Sequence, residues 1–207
     1  MEKKDLKPAG VFKYFEEICQ VPRPSKKEEK MIAYLKAFGA KHNLETKVDE
    51  AGNVLIKKPA TPGKENLQTV VLQSHIDMVC EKNNDVQHDF LTDPIETEID
   101  GEWLKAKGTT LGADNGIGVA TELAILADDS IEHGPLECLF TVDEETGLTG
   151  AFALKEGFMS GDILLNLDSE DEGEIFIGCA GGIDSVAEFT YKEAVSYTHL
   201  RAHETRR

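Results

Sequence analysis

Leu136-Glu137-Cys138-Leu139-Phe140-Thr141-Val142-Asp143-Glu144-Glu145-Thr146-Gly147 is a largely apolar run that ends in three consecutive carboxylates and a glycine. A short continuous apolar run reads as a strand buried on both faces, typical of a parallel sheet. Three adjacent acids at its end repel one another and call for an opposing positive charge. No Lys or Arg lies between Gly108 and Lys155, so the neighbouring sequence offers none. Two readings stand at this point. One is a solvated loop after a strand. The other is a divalent cation, which takes carboxylate oxygens.

Working outward, two further apolar runs end the same way. Thr69 to Leu72 leads into Gln73-Ser74-His75-Ile76-Asp77, and Ile163 to Leu167 leads into Asp168-Ser169-Glu170. A fourth acid, Asp114, sits in the Gly-rich loop Gly108 to Gly118. Ligands of open α/β sheets bind at the carboxyl ends of the strands, so these positions are expected to converge. One imidazole with several carboxylates is a mixed N/O set suited to zinc, manganese or cobalt. His75 and Asp77 are two apart and point the same way on a regular strand. Asp77 then accepts one ring N–H of His75 and presents the other nitrogen to a metal. Each residue alone has a plainer reading: His75 a core histidine, Asp114 a turn residue, Asp168 a strand-end cap. A glycine loop alone can cradle phosphate, but no G-K-[ST] follows it here.

The rest of the chain frames these runs. Val11 to Cys19 has helical spacing, and Pro22 and Pro24 break it. Ser25 and Glu28 form an S-x-x-E capping-box pattern before a second helix that runs to about Gly39. Thr46 to Val48 and Val54 to Ile56 read as paired strands about Gly52-Asn53. Asn83 to Pro94 reads as a surface loop, and Ile95 to Lys107 as a hairpin turning at Asp100-Gly101. A helix is expected over Val119 to Leu126, and a short one over Ala151 to Lys155 started near Thr149. Further strands are expected at Glu174 to Gly178 and Ser185 to Tyr191. Buried strands separated by helices predict an α/β protein with a mostly parallel sheet.

The 207 residues carry 39 acids against 22 bases, a formal charge of −17. That excludes a nucleic-acid or anionic-membrane partner, which needs a basic face. Cys19, Cys80, Cys138 and Cys179 are scattered, as thiols of a reducing compartment are. With no signal peptide and no membrane-length apolar run, a cytoplasmic location is expected. Val195 to Arg207 breaks the pattern and is set aside as a non-native tail. Its His199 and His203 lack the adjacent Glu of a zinc-binding H-E-x-x-H helix.

Val70 to Val79, Gly108 to Gly118 and Gly173 to Asp184 closely resemble the M20 metallopeptidases, and within them the aminoacyl-histidine dipeptidases. The resemblance runs from about Leu6 to about Ala194. It is specific because H-x-D, G-A-D-N-G, E-E-x-G and N-x-D-S-E occur in order. It implies a zinc-peptidase-like three-layer fold, with a central mostly parallel sheet flanked by helices, incomplete at the C-terminus. Residues 1–194 would be the N-terminal part of the catalytic domain, without the lid domain and the returning catalytic segment. His75, Asp114 and Asp168 would hold one zinc ion. Asp114 would bridge to a second, which Glu145 also binds, and manganese or cobalt could replace zinc. Glu144 would be the general base, and Asp77 would orient His75. A cis peptide is implied at Asp114-Asn115. The implied activity is hydrolysis of dipeptides of the Xaa-His type, carnosine among them, with a homodimer formed through the lid. The ligand missing from the second site predicts one zinc bound better than two, and weak turnover. N-acyl amino acid deacylase, tripeptidase and non-catalytic metal-binding fragment remain as alternatives.

Overall fold

The computed structural model describes residues 3–169, 171, 173–178, 181 and 185–190. The chain divides into two units, Met1–Glu170 and Asp171–Arg207. All the helices and strands described below lie in the first.

Helix α1 (Ala9–Cys19) buries Tyr14, Phe15, Ile18 and Cys19, and α2 (Glu29–Lys41) buries Met31, Leu35, Phe38 and Gly39. Both are single apolar stripes, as 3.6-residue periodicity requires. Strands β1 (Glu45–Val48) and β2 (Val54–Lys58) form an antiparallel hairpin. Asp49 Oδ1 closes its turn by accepting the N–H groups of Ala51, Gly52 and Asn53. Strand β3 (Val70–His75) follows, then the small β4–β5 hairpin (Thr97–Asp100 and Trp103–Ala106), α3 (Ala113–Ala127), β6 (Leu136–Thr141), α4 (Thr149–Ala153) and β7 (Ile163–Asn166).

The main sheet runs β1-β2-β6-β3-β7. β3 is parallel to both β6 and β7, while the β1–β2 hairpin joins β6 antiparallel. Every residue of β6 is buried, as its apolar run requires of a central strand. One face of the sheet carries α1, α2 and α3 over a core that includes Ile56, Leu72, Leu123 and Phe140. Leu55, Val71 and Leu139 face the other way and meet Leu154, Phe158 and Met159. Lys58, nearly buried, donates Nζ to the carbonyls of Ile125 and Asp128. This places a cationic donor on carbonyls at the C-terminus of α3.

The parallel register places the site. His75 lies beside Thr141, and Gln73 beside Asn166. The residues just beyond, 75–77, 143–145 and 168, therefore leave the sheet along one edge. Among the described residues, no helix is long and apolar enough to cross a membrane.

Three expectations are corrected. Much of the Gly-rich loop is helical, since α3 begins at Ala113 with non-helical angles at Asp114 and Asn115. Residues 174–178 and 185–190 form no strands. Their apolar side chains, Ile175, Ile177, Val186 and Phe189, are exposed, and a strand needs a partner to pair with and a layer to pack on. The Ser25–Glu28 pattern is not a capping box: the N-cap of α2 is Glu28, with no side-chain cap. Tyr191 and residues 195–207 lie outside the described residues.

Candidate metal centre

His75 ends β3 with its side chain fully enclosed, and its two nitrogens face opposite ways. Nδ1 meets Asp77 Oδ1 at 3.2 Å, while Nε2 meets Asp114 Oδ1 at 3.0 Å and Asp168 Oδ1 at 3.6 Å. One ligand atom from each of His75, Asp114 and Asp168 lies within 4.8 Å of the others. Asp114 reaches the group from the non-helical start of α3, where the Asp114–Asn115 peptide is cis. Asn115 Nδ2 donates to Asp168 Oδ1 at 2.6 Å and so holds the third carboxylate.

The electrostatics favour positive charge between these groups. Burial alone would push the His75 pKa down, but hydrogen bonds to Asp77 and Asp114 and the charge of Asp168 outweigh it and raise it to about 9. Asp168 is lifted to about 6 by burial and by the negative charges of Asp114 and Glu144, against the pull of His75. A proton on Nε2 thus stands where these carboxylates demand positive charge. The donor set of one imidazole and two carboxylates, with a carboxylate behind the imidazole, fits a divalent metal.

Asp77 accepts four donors: His75 Nδ1, Ser25 Oγ at 2.7 Å, and the backbone N–H groups of Glu144 at 3.0 Å and Glu145 at 3.2 Å. That fills the acceptor sites of a carboxylate. These bonds hold its pKa near 2, although burial acts the other way. The turn after β6 therefore presents Glu144 and Glu145, both half-buried, toward the same centre. Burial, the first influence, and Asp114 among its charged neighbours raise the Glu145 pKa, while His75 lowers it. The Glu145 carboxylate is not one of the three grouped ligands. Asp143 is buried, with φ of 50°, and accepts the hydroxyls of Thr146 and Thr149.

A second trio of acids, Glu28, Asp77 and Asp143, also lies within 4.8 Å and is wholly buried. Its carboxylates already take N–H and O–H donors. Glu28 Oε1 accepts the N–H of Lys26 at 2.8 Å and of Asp143 at 3.1 Å. This trio braces the site.

The sequence reading missed a buried cation near Asp77 and Asp114. It is Arg23, from the link between α1 and α2. Its guanidinium is buried and donates to the carbonyls of Ile76, Asp77 and Gly112. The available signal was its isolation, for Arg23 is the sole arginine before Arg201 and is flanked by two prolines. Ser25 and Glu28 are visible in the sequence only as an S-x-x-E pattern, which also suits a helix cap.

Residues 71–197 match the profile of Peptidase family M20/M25/M40. The chain is 54% identical over 183 residues to the cytosol non-specific dipeptidase of Escherichia coli (strain K12), covering 88% of this chain and 38% of that protein. The crystal structure of aminoacylhistidine dipeptidase from Vibrio alginolyticus matches with a TM-score of 0.84 and 56% identity, over 86% of this chain and 36% of that one. Aminopeptidase PepT from Bacillus cereus matches with a TM-score of 0.67 and 26% identity, over 78% and 43%. The chain spans less than half the length of each of these relatives.

Proposed function

The chain belongs to peptidase family M20/M25/M40, and from that premise we propose that it carries the metal-holding half of a dipeptide-hydrolysing site. His75, Asp114 and Asp168 would hold a zinc ion, with manganese or cobalt as substitutes, and Asp114 together with Glu145 would serve a second. When bound, the metal supplies Lewis acidity to the scissile carbonyl and lowers the pKa of water.

The chain's own residues do the rest. Asp77 fixes the His75 tautomer and seats the backbone of Glu144 and Glu145. Asn115 keeps the Asp168 carboxylate turned toward His75. The Glu144 carboxylate takes a proton from the attacking water and returns it to the leaving amine. The observation that carries this reading is the His75–Asp114–Asp168 trio, whose ligand atoms lie within 4.8 Å of one another beyond the ends of the parallel strands β3, β6 and β7.

The substrate is a dipeptide with a free N-terminus, of the Xaa-His type. The Escherichia coli relative, a non-specific dipeptidase by name, supports a dipeptide, and the Vibrio alginolyticus aminoacylhistidine dipeptidase supports the Xaa-His type. The cytosol is the proposed compartment, and a homodimer the proposed assembly. Within the same family, tripeptide cleavage is the second reading. A zinc-loaded sample assayed on β-alanyl-histidine, glycyl-histidine and a tripeptide tests both. Dipeptide cleavage lost on chelation and restored by zinc supports the proposal. Turnover of the tripeptide alone favours the second reading, and cleavage indifferent to chelator contradicts both.

A further inference from the structure

Arg23 belongs to no strand-end motif, yet it touches two of the segments that build the centre. Nη1 donates to the carbonyls of Ile76 and Asp77, each at 3.2 Å, and Nη2 to the carbonyl of Gly112 at 2.6 Å. Ile76 and Asp77 follow the ligand His75, and Gly112 precedes the ligand Asp114 by two residues. The Arg23 main chain is tied to the same place, because the Met78 N–H donates to the Arg23 carbonyl at 3.2 Å.

The seat of the guanidinium is shaped by absent side chains. A Cβ at Gly112 would stand 2.5 Å from Nη2, and a Cβ at Gly116 would stand 2.7 Å from it. Gly112 also has φ of 68°, which few other residues adopt without strain. Gly112, the N-cap of α3, and Gly116, in its first turn, therefore both make room for the arginine, and Gly116 also clears Phe15 and Ile18. Burial works against the Arg23 charge, and Asp77 and Asp114 are among the groups that offset it.

We propose that Arg23 is a positioning residue of the metal centre, whose guanidinium fork fixes the distance between the His75–Asp77 segment and the Asp114 segment. This rests on the reading of His75, Asp114 and Asp168 as metal ligands. A fork donates along several fixed directions and holds two carbonyl groups at a set separation. A lysine ammonium is a point charge on a flexible stem and cannot do so.

The test uses the 207-residue chain loaded with cobalt(II), whose visible absorption reports both affinity and ligand geometry. Wild type is compared with Arg23→Lys, which keeps the charge and loses the fork, and with Gly116→Ala, which keeps the fork and crowds its seat. Far-UV circular dichroism establishes that each variant folds. Loss of a positioning group that acts on metal ligands weakens metal binding about 10- to 100-fold. Both variants are expected to fold, to bind cobalt at least about tenfold more weakly, and to show a shifted band at saturation. A residue that only stabilises the fold would lower the melting temperature and leave affinity and spectrum unchanged. That result in either folded variant overturns the proposal. If Arg23→Lys does not fold, Gly116→Ala decides. Loss of fold in both also overturns it, since Arg23 would then be part of the core. A wild-type chain that takes up no cobalt refutes the metal centre itself and this proposal with it.

Discussion

The Asp77 carboxylate accepts the backbone N–H of Glu144 at 3.0 Å. The same Oδ1 atom takes the His75 ring nitrogen at 3.2 Å. The group that orients the candidate ligand thus also seats the turn carrying the candidate base. A change at Asp77 is expected to move both together.

Asp77→Asn keeps the shape and replaces one acceptor oxygen with an NH2 group among four donors. At least one of the bonds from Ser25, His75, Glu144 or Glu145 is then lost. Zinc affinity is expected to fall about 10- to 100-fold, measured by competition with a chromophoric chelator. Unchanged affinity would show that Asp77 does not orient His75.

Glu144→Gln separates binding from chemistry. The side chain of Glu144 is not among the grouped ligands, so zinc affinity should match wild type. Hydrolysis of β-alanyl-histidine should drop by about 10²- to 10⁴-fold, the usual contribution of a general base. Parallel loss of zinc would make Glu144 a ligand instead.

Asn53 ties the β1–β2 hairpin to the acid-bearing turn. Its Oδ1 accepts the Val142 N–H, and its Nδ2 donates to the Gly150 carbonyl and to Asp49 Oδ2. Asn53 is fully buried, so Asn53→Ala strands the Val142 and Gly150 groups without water. The expected loss is about 2 to 3 kcal/mol. That lowers the melting temperature by about 5 to 10 °C for a chain of this size. A shift under about 2 °C would show that the turn is held by other means.

Glu122 sits buried on α3 and accepts the Ser74 hydroxyl at 2.7 Å. Burial raises its pKa well above the usual range, although hydrogen bonds from Ser74 and Cys138 act to lower it. The folded state therefore keeps a proton that the unfolded chain releases near pH 4.3. Above that pH the folded state binds more protons, so stability falls as pH rises toward the raised folded pKa. Glu122→Gln removes the titration. Measured on metal-free protein, its melting temperature should gain on wild type as pH rises above about 4.3 toward the raised folded pKa. The gain is at most about 1.4 kcal/mol per pH unit. A gap constant with pH would contradict the assignment of a neutral Glu122.

How far the sequence was readable follows the range of the interactions. His75, Asp77, Asp114 and Asp168 were legible because each ends an apolar run or sits in a glycine loop, and strand polarity carries such ends to one edge. β6 was legible because a short, largely apolar run has few alternatives to a central strand. Arg23 was not, since its partners lie 54 and 89 residues away and no local pattern marks a guanidinium that binds backbone. Ser25 and Glu28 showed a true pattern with a competing use: their side chains went to Asp77 and to the Asp143 N–H instead of to the α2 terminus. Ile175-Phe176-Ile177 is an apolar run, but an apolar run alone makes no strand where no strand among the described residues pairs with it.

The central claim is that His75, Asp114 and Asp168 form a metal centre. Calorimetric titration of zinc into the 207-residue chain, beside His75→Ala, tests it most directly. The account predicts one tight equivalent in wild type and none in His75→Ala, with both proteins folded by circular dichroism. Zinc uptake unaffected by His75→Ala, or no uptake by wild type, would contradict it.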